Sequence, residues 1–125
     1  MTNSAPLNRI VLELAREPGR PDGDASDRYV IVAPLDADGR LDGEAWKAVR
    51  DSCRVVRETA GAEASLGHLV HGPGGRWILT FDITNDRPDE TGFRFEIEPF
   101  VSGEYVSIER GDETHVFRVV TAARA

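Results

Sequence analysis

Apolar and polar positions along the chain read as a succession of short strands. From Arg9 to Arg16, Ile10, Leu12 and Leu14 alternate with Val11, Glu13 and Ala15, the period-2 spacing of a strand with one buried face. Pro18 to Asp27 holds two prolines, two glycines and three aspartates, which disfavour helix and ladder alike and predict a loop. Tyr29 to Leu35 is apolar at nearly every position and β-branched at Val30, Ile31 and Val32, the pattern of a central strand covered on both sides. Asp36-Ala37-Asp38-Gly39 then signals a turn. Asp42 is placed to cap a helix in which Trp46, Val49 and Cys53 share one side. Val56 would extend that stripe, yet Val55-Val56 flanked by Arg54 and Arg57 also suits a strand. The reading adopted is a short helix to about Asp51 followed by a strand.

The second half is more regular. Ser65 to His71 and Arg76 to Ile83 are joined by Gly72-Pro73-Gly74-Gly75, whose glycines accept the dihedrals of a tight reversal, so the two arms form a hairpin. In its second arm Trp77, Leu79 and Phe81 face one way and Arg76, Ile78, Thr80 and Asp82 the other. Asn85 to Gly92 reads as a loop, and Phe93, Phe95 and Ile97 alternate with Arg94, Glu96 and Glu98 as a further strand. Glu104 to Glu109 and Thr114 to Thr121 flank the turn at Gly111-Asp112-Glu113, giving a last hairpin. About eight strands and one helix result. A sheet this wide must cover its apolar face, so the expected fold is mainly β, a small antiparallel barrel or roll of about seven to eight strands with one short helix. The alternative is an α+β arrangement. Residues 1–7 are expected to form a disordered tail and residues 8–125 a single β-rich domain.

Composition narrows the classes. The 125 residues are 40% apolar and 30% charged, an ordinary globular balance, and the net charge of -7 opposes non-specific affinity for nucleic acid. No apolar stretch approaches the ~20 residues of a membrane-spanning helix, and the start of the chain lacks a basic-then-apolar signal, so no membrane partner and a cytoplasmic location are expected. Acidity is uneven: residues 46–76 carry 3 acids and 5 bases, whereas residues 77–115 carry 10 and 3. The single cysteine, Cys53, excludes an intrachain disulfide.

Four groups invite chemistry. Asp36, Asp38, Asp42 and Glu44 superficially resemble a calcium loop, but Arg40 and Lys47 occupy positions where the EF-hand pattern needs ligands; a turn and a helix cap explain the acids. His68 and His71 fall on opposite sides of a strand and cannot share a metal directly; a metal site would instead need sheet pairing to bring His115 and an acid such as Asp82 beside one of them. Cys53 with a histidine and the field of Arg54 and Arg57 would make a nucleophile, but a cysteine on an apolar stripe is ordinarily core. The remaining candidate is a basic patch of Arg50, Arg54, Arg57 and Arg76, with Lys47, able to hold a small anion or an acidic protein segment. No catalytic signature, metal site or cofactor is implied.

Gly103-Glu104-Tyr105-Val106-Ser107-Ile108 followed by Phe117-Arg118-Val119-Val120, with Trp46 and Cys53-Arg54 upstream, resembles a group of small uncharacterised bacterial proteins of unknown function. The resemblance covers most of residues 8–121 and implies a folded unit without implying an activity. The function expected is that of a non-enzymatic binding or interaction module for a protein or a small anionic ligand, with a homodimer formed through an exposed strand edge as one form of it. The alternative is a small metal- or anion-dependent enzyme whose site lies in the barrel mouth and uses His68, His71 or His115.

Overall fold

The computed structural model describes residues 6–17, 19, 21–81 and 89–125. Eight strands run in chain order around a closed antiparallel barrel: β1 (Leu7–Leu14), β2 (Asp24–Pro34), β3 (Arg54–Glu58), β4 (Ser65–His71), β5 (Trp77–Phe81), β6 (Glu90–Phe93), β7 (Tyr105–Arg110) and β8 (Glu113–Arg124). β8 closes the ring on β1, with Leu12 opposite Val119 and Leu14 opposite Phe117. Every strand therefore has two partners among the described residues, and the free edge expected to pair two copies is absent. Closure satisfies the ladder groups that an open sheet would leave exposed.

Period-2 alternation becomes inside and outside of the barrel. Ile10, Leu12, Tyr29, Ile31, Leu79, Ile108 and Phe117 are fully or almost fully buried in the lumen. Val30 and Val32, read as covered on both sides, lie on the outer wall and are only half-buried, because a single closed sheet has one interior. β2 also starts at Asp24, inside the stretch expected to be a loop.

One helix, α1 (Gly43–Val49), lies in the β2–β3 connection and is followed by a 3₁₀ turn at Arg50–Ser52, so the chain between Cys53 and Glu58 takes the strand option. Asp42 caps it, accepting a hydrogen bond from the Ala45 backbone at 3.0 Å. Trp46 plugs this end of the barrel: its indole donates to the Leu69 carbonyl at 2.9 Å and meets Trp77 edge-on, while His71 stacks on Trp77 at 4.2 Å. Phe95 and Phe100, packed edge-to-face at 5.0 Å, add to the same core. The strand expected over Phe93 to Glu98 is not formed. β6 ends at Phe93, Arg94 takes φ 60°, and residues 94–97 turn; Phe95 folds inward to 0% exposure while Ile97 stays 47% exposed. Asp82, Ile83 and residues 85–88 of the loop expected at 85–92 lie outside the described residues, while Glu90 to Gly92 of that loop belong to β6; of the expected tail, residues 1–5 lie outside them and Leu7 already belongs to β1. No helix among the described residues is long and apolar enough to cross a membrane.

Candidate functional site

The plugged end, at the α1 side, is apolar; the opposite end is not. Positions there that point inward by register carry charge. Asp27 lies two residues before Tyr29 on β2, Arg57 faces Tyr29 from β3, Glu90 faces Leu79 from β6, and Arg110 lies two residues beyond Ile108 on β7. In an eight-membered ring β2 and β6 are opposite walls. The side chains meet across the lumen. Arg110 makes a bidentate pair with Asp27 (Nη2–Oδ1 2.9 Å, Nη1–Oδ2 3.2 Å), and its Nε donates to the Tyr29 hydroxyl at 2.9 Å. The Tyr29 hydroxyl donates in turn to Glu90 Oε1, and Arg57 Nη1 donates to Glu90 Oε2 at 3.3 Å. The guanidiniums of Arg57 and Arg110 lie over the Tyr29 ring at 5.9 and 5.3 Å.

This bar of two guanidiniums, two carboxylates and a phenol is nearly dry: Glu90 is 4% exposed and Asp27 8%. Burial, and then the Glu90 carboxylate, push the Tyr29 hydroxyl far above the ordinary phenol range, so it stays a neutral donor. For Arg110 burial opposes the charge, but the hydrogen bonds it donates to Asp27 and Tyr29 outweigh it and hold the guanidinium charged more firmly than usual. Outside the bar, at the rim, His115 sits between two carboxylates, with Nδ1 3.1 Å from Glu17 and Nε2 3.3 Å from Glu113. A surface depression of about 480 Å³ opens there, lined by Arg16, Glu17, Glu113, Thr114, His115 and Val116.

The basic patch anticipated from sequence is divided between the two ends of the barrel. Arg57 points into the mouth, Arg54 projects from the outer wall with its Nη1 3.5 Å from His68, and Arg50 and Arg76 are exposed near the plugged end. Lys47 pairs with Glu44 at 2.9 Å. The three histidines are equally scattered: His68 outside, His71 in the apolar plug, His115 at the mouth rim. Cys53 is fully buried, and burial pushes its thiol up to about 11, which removes it as a nucleophile. Asp36 accepts from the backbone of Asp38 and Arg40, the ordinary work of a turn aspartate.

Sequence reading missed Asp27, Tyr29, Glu90 and Arg110 as a group. A signal existed: extending the buried alternation by one step places Asp27, Arg57 and Arg110 on the core faces of β2, β3 and β7. Comparison with family models, with curated proteins and with solved structures returned no match.

Proposed function

We propose that the chain is a non-enzymatic binding module whose ligand is a small molecule bearing both an acidic and a basic group, taken up at the polar mouth of the barrel. The observation that carries this reading is the charged bar laid across the lumen from β2 and β3 to β6 and β7. Such a bar is a poor device for stability alone, since desolvating four charges costs several kcal/mol apiece before their mutual attraction offsets it, roughly to break-even. Equal numbers of each sign supply guanidiniums for a ligand carboxylate and carboxylates for a ligand ammonium. A zwitterion exchanges partners with the bar without adding net charge to a site of low dielectric. A pure anion is disfavoured by the rim carboxylates Glu17 and Glu113.

Binding is preferred to catalysis because each reactive group is already committed. Both oxygens of Glu90 and of Asp27 accept hydrogen bonds from cations or from Tyr29, and Cys53 is sealed in the core. A general base must have a lone pair aimed at substrate. Amide NMR titration tests the reading, with glycine and longer ω-amino acids as zwitterions and acetate and methylammonium as single-charge controls. The zwitterions are expected to move the resonances of Asp27, Tyr29, Arg57, Glu90 and Arg110, and the Arg110→Met variant to abolish the response. Silence across the panel at tens of millimolar, or an unchanged response in that variant, overturns it.

A further inference from the structure

The outer wall of β1 to β4 carries a pattern that the mouth does not use. Val11, Val30, Val56 and Leu66 are consecutive register partners and form one apolar row across four strands; Leu66 is 51% exposed, Val30 and Val56 are half-buried, and Val11 is nearly covered. The row is flanked by charges of opposite sign. Two residues toward the plugged end stand Arg9 on β1 and Arg54 on β3, and two residues toward the mouth stand Glu13 and Glu58 on the same strands. β1 and β3 thus each present Arg, Val and Glu at alternate outward positions. Arg9 and Arg54 have no carboxylate partner among the described residues; Glu58 is held from one side by Arg28 at 2.8 Å and Glu13 by Arg118 at 4.0 Å.

We infer that this face pairs with the same face of a second copy about a two-fold axis running along the Val11-Val30-Val56-Leu66 row. A two-fold in that position lays each strand antiparallel over its own copy. It sets Val30 and Val56 against themselves, Arg54 against Glu58 of the second copy and Arg9 against Glu13 of the second copy, each contact made twice. The charge order along β1 and β3 is complementary to itself only in this arrangement; the parallel alternative sets Arg against Arg. Four strands about 4.8 Å apart and five residues at about 3.4 Å make a patch of roughly 20 by 17 Å. That is well below the ~800 Å² per partner of a standard interface, so the dimer forms at high micromolar concentration and exchanges quickly.

Sedimentation velocity over a concentration series tests this, using the full chain and two charge-reversed variants at exposed positions. The wild type is expected to shift from monomer toward dimer as concentration rises. Arg54→Glu and Glu58→Arg are each expected to weaken self-association about tenfold or more, because each sets like charges together twice. Mixed in equal amounts they are expected to regain dimer, since both cross-pairs in the heterodimer are then attractive. Misfolding would not be repaired by mixing, and far-UV circular dichroism of each variant checks the fold directly. A wild type that stays monomeric into the high micromolar range overturns the inference. So does self-association of Arg54→Glu equal to wild type, or a mixture no more dimeric than its parts. The face is separate from the mouth, so the zwitterion titration and this experiment fail independently.

Discussion

Glu90 is the residue on which the mouth turns, because its two oxygens join the Tyr29 hydroxyl and the Arg57 guanidinium. Replacing one member of a buried ion pair leaves the other charge desolvated, and Glu90→Leu is expected to cost about 3 kcal/mol in guanidinium unfolding. Adding Arg57→Met should recover part of the loss; a double variant as unstable as the sum of the singles would show that the two do not act as a pair. Cys53 makes an alkaline prediction. Its thiol is raised from 9.0 to about 11 in the folded state, so above pH 9 the unfolded chain loses a proton that the folded chain keeps. The stability it contributes is complete below the unfolded value and is lost as pH rises through the folded one, from about 9 to about 11. Tyr29, raised still further, extends the loss beyond pH 10. Unfolding free energy measured from pH 8 to 11 should fall across this window, and Cys53→Ala should flatten its first part.

At the scale of elements, what was legible in the sequence was what local periodicity encodes. The alternation in β1, the glycine-rich reversal after His71 and the Asp42 cap each state a local conformation, and each element forms at or near the expected place. Phe93 to Glu98 failed because period 2 records which side chains are apolar, not whether the backbone stays extended; Arg94 turns the chain and Phe95 is buried from a loop. Gly92 marks the same event, since a Cβ there would overlap the Phe95 ring. Gly67 on β4 is the stricter case, for its Cβ would collide with the Thr80 carbonyl and the Phe81 backbone, neither of which can swing aside as a side chain can. Gly67→Ala is therefore expected to disrupt the β4–β5 ladder and leave little soluble, cooperatively unfolding protein. A Gly67→Ala protein with native circular dichroism and an unchanged midpoint would refute that close approach.

On the scale of the whole molecule the candidate site was hidden because its members come from residues 27, 29, 57, 90 and 110, and only ring closure brings β2 and β3 to face β6 and β7. Charge totals could not reveal it either, since two arginines and two acids cancel. That cancellation leads to a test of why the bar exists. If it served stability, replacing it wholesale would weaken the barrel; if it is kept for a ligand, an apolar plug of similar volume should serve the fold as well or better. Buried ionic groups exchanged together for well-packed apolar ones are often neutral or stabilising by about 1–4 kcal/mol, although removal of a single member is costly. The combined variant Asp27→Leu, Arg57→Met, Glu90→Leu, Arg110→Met, with Tyr29→Phe to remove the orphaned hydroxyl, is expected to fold to the same barrel with an unfolding midpoint at or above that of the wild type. It should also lose the response to zwitterions completely. A marked fall in the midpoint of this fivefold variant would assign the bar to the fold, and the mouth would then lose the argument that makes it a site.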